Sequence, residues 1–337
     1  MQSLAVKYRP VSFAEVVEQS ATKAILQQQL ETGEIKNAYL FCGPAGCGKT
    51  TCARIFANEI NKGKGIPIEL DAASNNSVDD VREIIQQSKT ASLDSEYKVF
   101  IIDECHALSN SAWQAMLKVL EEPPQKSIFI MCTTESNKVP KTILSRVQRY
   151  DFQRINQKAI VERLRYVCDR EVICEDGLVR LEALEYIAKQ AQGGMRDALT
   201  MLDKCLAYSN ELTLDNVIEA LGIANYDVMC DLLQAYSEDK SVEMVNIIND
   251  VYISGYDLKQ FIKTFTNFVL DLNKYLLGAD NYLDCPLNNR IREVFDNFDI
   301  DDLDANKLLT SLIKLQTDIK WDTNPKARVE SWCIIGE

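Results

Sequence analysis

Histidine is almost absent from this 337-residue sequence, which contains only His106. A single histidine excludes metal sites built from several imidazoles, and it leaves one candidate base for Ser-His-Asp or Cys-His catalysis. Long apolar runs are also missing, because residues 99–102 and 128–132 fall far short of the roughly 20 residues of a membrane-spanning helix. We therefore expect no membrane span, and catalysis that rests on carboxylates, cations or backbone amides.

Positive charge is scarce as well. The chain has 37 Lys and Arg against 50 Asp and Glu, a net charge of −13, which at first sight argues against nucleic-acid binding. The excess of negative charge is unevenly distributed along the chain. Residues 1–152 hold 17 basic and 18 acidic side chains, whereas residues 225–337 hold 11 basic and 20 acidic side chains. The eleven cysteines are odd in number and scattered, and no basic run precedes an apolar stretch that resembles a secretion signal. We expect a cytoplasmic protein in a reducing compartment.

The order of apolar segments predicts an α/β domain followed by helices. Short apolar runs at 38–42, 67–70, 99–102 and 127–132 alternate with helical stretches, which is typical of a parallel sheet buried on both faces. After Phe152 the apolar residues recur at helical spacing only. The predicted helices there span residues 159–169, 176–192, 195–207, 214–221, 227–236, 241–254, 257–277, 286–297 and 304–320.

Residues 43–50 match the phosphate-loop pattern G-x-x-x-x-G-K-[ST], between a strand-like segment and a helix-like one. In such a loop the glycines let successive amides turn toward a β-phosphate. Lys49 is then expected to reach the β- and γ-phosphates, and Thr50 to offer its hydroxyl to Mg²⁺. The competing interpretation is a chance glycine-rich turn with a surface lysine. The predicted nucleotide-binding residues here are Gly43, Pro44, Ala45, Gly46, Cys47, Gly48, Lys49, Thr50 and Thr51.

Two carboxylates follow the apolar segment 99–102. A strand end delivers side chains to the sheet edge where phosphates bind, so we expect Asp103 to bind Mg²⁺ and Glu104 to orient and deprotonate the attacking water. Acidic residues that begin a loop for solubility are the alternative. For His106 a structural or coupling role is favoured over catalysis, because an ATPase needs no second base.

With these motifs the sequence resembles the gamma/tau subunits of the bacterial DNA polymerase III clamp loader, which are AAA+ ATPases. The order of the motifs and the spacing between them match those of the family over residues 1–205. The segments that carry the resemblance are Lys7-Tyr8-Arg9-Pro10 with Phe13-Ala14-Glu15-Val16-Val17-Glu18-Gln19, the phosphate loop, Asp71-Ala72-Ala73-Ser74-Asn75, Asp103-Glu104-Cys105-His106 with Leu117-Lys118-Val119-Leu120-Glu121-Glu122-Pro123-Pro124, and Leu144-Ser145-Arg146 with Gly194-Met195-Arg196-Asp197-Ala198-Leu199.

The resemblance implies a fold and further site residues. It implies an α/β P-loop AAA+ ATPase domain over residues 1–152, a small helical lid domain over 153–224, and an all-α collar (oligomerisation) domain over 225–337. It implies that Arg196 is sensor 2. The other implied site residues, each with a competing interpretation, are Thr134 as sensor 1 or a loop cap, Arg146 as an arginine offered in trans or a surface ion pair, and Tyr8, Pro10 and Val17 as the adenine pocket or apolar packing.

The resemblance also implies partners. It implies an ATP-hydrolysing motor subunit that, in a pentameric assembly with other clamp-loader subunits, loads a sliding clamp onto primer-template DNA. Candidate DNA-phosphate contacts, with ordinary helix caps as the alternative, are Ser74, Asn75, Lys141 and Thr142. Trp113 lies in the segment that resembles the clamp-facing helix and is otherwise a core residue. The remaining alternatives are a branch-migration or replication-restart ATPase and a non-hydrolysing structural subunit.

One departure from the family pattern concerns zinc. Gamma/tau proteins usually carry a four-cysteine zinc module before the Asp-Ala-Ala-Ser-Asn segment, but residues 58–70 contain no cysteine. The cysteines at 42, 47 and 52 do not recreate the module, so we expect no zinc site. Val147 replaces the expected cysteine, and Glu18 the expected glycine, without removing a catalytic group. A diverged member fits these features, and a phage-encoded protein acting in its host's cytoplasm is one hypothesis for its origin.

Overall fold

The computed structural model describes residues 2–92, 94–171, 179–221, 226–287, 289–298 and 303–335. The chain divides into two compact units, residues 1–212 and residues 213–337. The division into three domains at 152 and 224 stays a prediction. In the described ranges no helix is both long enough and apolar enough to cross a membrane.

The first unit alternates strands and helices up to residue 151 and is helical thereafter. The start of the helix Val78–Ser88 is fixed by a capping box between Ser77 and Asp80. Its elements are α1 (Leu4–Lys7), α2 (Ser20–Thr32), β1 (Ala38–Cys42), α3 (Lys49–Ile60), β2 (Ile68–Asp71), α4 (Val78–Ser88), β3 (Lys98–Asp103), α5 (Asn110–Glu121), β4 (Ser127–Thr133), α6 (Lys141–Leu144), β5 (Gln148–Asp151), α7 (Gln157–Arg170), α8 (Leu181–Gln190) and α9 (Met195–Tyr208).

The strands form one parallel sheet in the order β2-β3-β4-β1-β5, which confirms the predicted parallel α/β architecture. Cys42 at the end of β1 pairs with Thr133 at the end of β4, and β4 also pairs with β3, which ends at Asp103. The segments that follow these three strands therefore leave the sheet at one edge. The four strands recognised from sequence are present. β5 was missed because this edge strand buries only Tyr150 and has no apolar run.

Both faces of the sheet are covered, so successive residues of β1 enter different cores. Tyr39 and Phe41 pack with Phe56 of α3, whereas Leu40 and Cys42 belong to the cluster on the other face. Trp113 lies in that second cluster and is 3% exposed. The core interpretation of Trp113 is therefore the one that the structure supports.

The second unit is helical throughout its described residues. The predicted helices after residue 213 are present within a few residues of their expected bounds. The helix Pro325–Ile335 was missed because it exposes Ile334 and Ile335 while it buries Val329 and Trp332, so its apolar residues do not lie on one face. The elements are α10 (Leu214–Leu221), α11 (Tyr226–Ser237), α12 (Ser241–Ile253), α13 (Leu258–Leu276), α14 (Asn289–Asp296), α15 (Leu303–Ile319) and α16 (Pro325–Ile335).

A buried carboxylate on α13 fixes the loop that follows this helix. Asp271 is 1% exposed; its Oδ2 accepts hydrogen bonds from the amides of Asp284 and Cys285 at 2.7 Å, and its Oδ1 pairs with Lys274 at 2.9 Å. We expect Asp271→Ala to lower the free energy of unfolding by about 3 kcal/mol, because a buried amide, a partly buried amide and an ammonium lose this acceptor. Denaturant unfolding of the full chain measures the change.

The matched control for this variant is Glu293→Ala, which removes an exposed carboxylate from α14 of the same unit. We expect it to change stability by less than about 0.5 kcal/mol. Equal small shifts for the two variants would mean that Asp271 does not anchor the loop.

Candidate functional site

The phosphate-loop residues form a tight turn between β1 and α3. Gly46 and Gly48 have φ angles of 70° and 100°, a left-handed region that glycine adopts without steric cost. The Lys49 ammonium donates to the carbonyls of Gly43 at 2.8 Å and Pro44 at 2.7 Å. The lysine is 6% exposed, so its charge is directed back over the loop instead of into solvent.

The loop also contains Cys47, whose thiol donates to the Pro44 carbonyl at 2.9 Å. Burial raises the pKa of Cys47, and it raises the pKa of Cys52 in the following helix to about 12. Both thiols therefore stay protonated at neutral pH and act as small apolar packing residues.

Thr50 and Asp103 place two oxygen donors beside the loop. The Thr50 hydroxyl donates to Oδ2 of Asp103 at 2.8 Å, which joins the start of α3 to the end of β3. A hydroxyl and a carboxylate are the oxygen ligands that Mg²⁺ prefers in nucleotide sites. The donor set that the sequence predicted for this metal is thus brought together by the fold.

Glu104 follows directly with a φ of 47°, which is uncommon for a residue with a side chain and typical of functional sites. Its amide donates to Oδ1 of Asp103 at 3.0 Å. Its Oε2 accepts a hydrogen bond from the Thr134 hydroxyl at 3.2 Å. Thr134 was expected near the attacking water, and the structure brings it onto the carboxylate predicted to activate that water.

His106 bridges two carboxylates. Its Nδ1 lies 3.3 Å from Oε2 of Glu104 and 3.2 Å from the Thr133 hydroxyl, and its Nε2 lies 3.3 Å from Oε1 of Glu135. A hydrogen bond from Lys138 lowers the pKa of Glu135. The structural or coupling role that was favoured for His106 stays a prediction.

A cavity of about 280 Å³ unites the phosphate loop with the N-terminal segment and the start of α9. The sequence-predicted residues that line it are Tyr8, Pro10, Val17, Ala45, Gly46, Cys47, Gly48, Lys49, Thr50, Thr51, Asp103, Glu104 and Arg196. Gly43 and Pro44 are not among the lining residues but accept hydrogen bonds from Lys49, and Thr134 donates a hydrogen bond to the lining residue Glu104.

Sequence reasoning missed several other lining residues. Ala5, Arg9 and Val16 lie close in sequence to the predicted residues Tyr8, Pro10 and Val17, and this proximity could have identified them. Arg163 lies within an ordinary amphipathic helix, and no local pattern distinguishes it from a solvated arginine. The missed lining residues are Ala5, Arg9, Val16, Ile155, Arg163, Met195, Asp197 and Leu199.

The start of α9 touches the phosphate loop, which explains why Arg196 reaches the cavity. The Met195 amide donates to the Gly46 carbonyl at 3.0 Å. A Cβ on Gly46 would lie 2.9 Å from the Cα of Gly194, so glycine at position 46 permits this close approach. The contact links the helical part of the unit to the loop that is expected to hold phosphates.

Arg146 lies outside the cavity. Its Nη2 pairs with Oε1 of Glu121 at 2.7 Å, its Nη1 donates to the Thr142 carbonyl at 2.7 Å, and its side chain is 35% exposed. The structure therefore contains a surface ion pair, the competing interpretation for this residue. Such pairs contribute little to stability, so the partly exposed guanidinium is available for exchange to another carboxylate or phosphate.

The four DNA-contact candidates also lie outside the cavity, and all are exposed. The Ser74 hydroxyl and the Asn75 side-chain amide donate to Asp71 at 3.1 and 3.2 Å, as turn residues at a strand end do. Lys141 and Thr142 begin α6. Turn and cap roles thus account for their local geometry, and the DNA contacts stay a prediction.

Comparison with known proteins gives two family-model matches. Residues 66–156 match the model described as DNA polymerase III, delta subunit. Residues 159–211 match the model described as DNA polymerase III clamp loader subunit, ATPase lid domain. The second match covers α7, α8 and α9, which we call the lid helices.

Curated relatives match over most of the chain. DNA polymerase III subunit tau of Bacillus subtilis is 35% identical over 96% of this chain and 61% of its own length. DNA polymerase III subunit gamma/tau of Mycobacterium tuberculosis is 35% identical over 76% of this chain and 48% of its own length. The chain thus spans less than two thirds of the length of these relatives.

Among solved structures, the Thermotoga maritima RuvB Holliday junction branch migration motor superposes with a TM-score of 0.54 at 20% identity. The superposition covers 68% of this chain and 78% of that one. At this identity the likeness concerns the fold alone.

Proposed function

Because the chain is a relative of the DNA polymerase III tau and gamma/tau subunits and has the fold of an AAA+ ATPase, we propose that it is the ATP-hydrolysing motor subunit of a clamp loader. One observation carries the proposal: a single cavity brings together the phosphate loop, Asp103, Glu104 and the lid arginine Arg196. A structural subunit needs none of these groups.

Each group has a task in ATP hydrolysis. The loop amides and Lys49 bind the β- and γ-phosphates, and Thr50 and Asp103 hold Mg²⁺, which neutralises charge on the phosphate oxygens when bound. Glu104 accepts the proton of the attacking water. The Thr134 hydrogen bond orients the Glu104 carboxylate for that step.

Two arginines couple ATP hydrolysis to the position of the lid and to contact with a neighbouring subunit. Arg196 is carried by a lid helix and contacts ATP bound in its own chain, so nucleotide state biases the position of the lid. Arg146, on the exposed surface, stabilises the transition state at a neighbouring subunit's ATP. The helical second unit holds several copies together, in a pentamer with other clamp-loader subunits.

The assembly acts in the cytoplasm on a sliding clamp and primer-template DNA. ATP binding stabilises the interface state that holds the clamp open, and DNA entry triggers hydrolysis and release. Ser74, Asn75, Lys141 and Thr142 contact DNA phosphates from each subunit. Nine of the thirteen net negative charges lie in residues 225–337. The net negative charge therefore lies mainly outside residues 1–152, which contain the four DNA-contact residues.

The test is an ATPase assay of the full chain with the sliding clamp and partner clamp-loader subunits from the same source. We expect the rate to rise when clamp and primed DNA are both present, and Lys49→Ala to bring it to background, since the loop then lacks its phosphate-binding cation.

Two results would contradict the proposal. Branch migration by a hexamer without clamp binding would assign the chain to another class of DNA motor. Absence of ATP binding by the wild-type chain would instead favour a non-hydrolysing structural subunit.

A further inference from the structure

The N-terminal segment, residues 4–10, is attached to the lid helices by side-chain contacts. The Tyr8 hydroxyl donates to Oε1 of Glu171 at 2.5 Å, and Lys7 pairs with the same oxygen at 2.6 Å. Arg163 of α7 donates from Nη2 to the Tyr8 carbonyl at 3.1 Å. Both polar ends of Tyr8 are therefore held by α7 and the residue that ends it.

Aromatic packing strengthens this attachment. The Tyr8 ring meets the Tyr166 ring edge-on, with centroids 6.5 Å apart. The guanidinium groups of Arg163 and Arg170 lie 4.9 and 5.0 Å from the centroid of Tyr166. Planar groups packed against one another in this way restrict one another's rotamers, so α7 restrains the orientation of the Tyr8 ring.

A second lid helix holds the beginning of the segment. The buried Leu4 has its amide directed at Oδ2 of Asp203 in α9, 3.3 Å away. Burial and then the Glu171 hydrogen bond raise the pKa of Tyr8 to about 12, while the Lys7 hydrogen bond is the largest cause lowering the pKa of Glu171. At neutral pH the phenol is thus a donor and the carboxylate an ionised acceptor, which is the stronger form of hydrogen bond.

The attached segment forms part of the cavity wall. Tyr8, Arg9 and Pro10 line the cavity together with Arg163. The phosphate loop occupies the part of the wall that binds phosphates, so the aromatic and apolar surface of the segment is left for the base of the nucleotide.

We propose that Glu171 is a positioning residue for nucleotide binding. Through its hydrogen bond with Tyr8 it attaches to the lid helices the part of the cavity wall that contacts the base. This inference rests on the proposed ATPase function. It predicts that the contact contributes to binding of the adenosine part of ATP and not to binding of the phosphates. The lid and residues 4–10 then move as one body when nucleotide binds or leaves.

The test compares ATP with inorganic tripolyphosphate, which has the phosphates and lacks the base. We expect Tyr8→Phe, which removes the hydrogen bond, and Glu171→Gln, which removes the charge of its acceptor, each to raise the Kd of the full chain for ATP about fivefold, the size of effect that one ordinary hydrogen bond has. Both variants are expected to bind tripolyphosphate like the wild type. The double variant is expected to weaken ATP binding no more than Tyr8→Phe does, because Glu171→Gln acts on ATP binding only by removing the charge from the acceptor of the Tyr8 hydrogen bond.

Glu162→Gln is the matched control, since Glu162 is exposed on the same helix. We expect it to bind both ligands like the wild type. Unchanged ATP binding in Tyr8→Phe and Glu171→Gln would overturn the inference, and so would equal weakening of ATP and tripolyphosphate, which indicates a general loss of structure. A wild-type chain that binds neither ligand would overturn the proposed function itself.

Discussion

A Glu104→Gln variant is expected to bind ATP as tightly as the wild type and to hydrolyse it about 10²- to 10⁴-fold more slowly. The amide preserves the shape of the side chain, and its oxygen still accepts the Thr134 hydrogen bond, but it does not take the proton of the attacking water. Single-turnover hydrolysis in the assembled complex, together with ATP binding to the same sample, measures the two effects separately.

The control for this variant is Glu34→Gln, which makes the same chemical change at an exposed position before β1. It is expected to leave binding and hydrolysis unchanged. A Glu104→Gln complex that hydrolysed ATP at a rate near that of the wild type would show that another group activates the water, and His106, 3.3 Å from the same oxygen, would be the first to test.

Arg146→Ala is expected to reduce clamp- and DNA-stimulated hydrolysis in the assembled complex by about 10³-fold, the effect of an arginine that stabilises phosphoryl-transfer charge from a neighbouring subunit. ATP binding by the isolated chain is expected to stay unchanged, because Arg146 does not line the cavity of its own chain. Arg146→Lys is expected to restore little, since an ammonium lacks the planar fork of the guanidinium.

The ion pair with Glu121 provides the discriminating control. Glu121→Ala removes the partner that lies 2.7 Å from Arg146 and leaves the arginine in place. If Arg146 acts on a neighbour's ATP, this variant is expected to retain hydrolysis. Equal losses in Glu121→Ala and Arg146→Ala would mean that the surface ion pair itself is what matters.

The sequence predicted those parts of the site in which the functional residues are adjacent along the chain. Residues 43–50 form the expected loop, and Asp103 ends the expected strand with Glu104 directly after it, because a loop motif and an apolar run are contiguous signals. The parallel sheet was predictable for the same reason. The edge strand β5 and helix α16 were not, because an edge strand and a helix with two apolar faces lack the periodicity of half-buried elements.

By itself, then, the sequence determined the chemical groups of this protein and the local elements that carry them. The tertiary structure decided which groups meet: Glu104 with Thr134 and His106, and Tyr8 with Glu171, 163 positions away. The physical reason is that a motif is read from adjacent residues, whereas these contacts depend on strand order, register and helix packing, which place distant segments side by side.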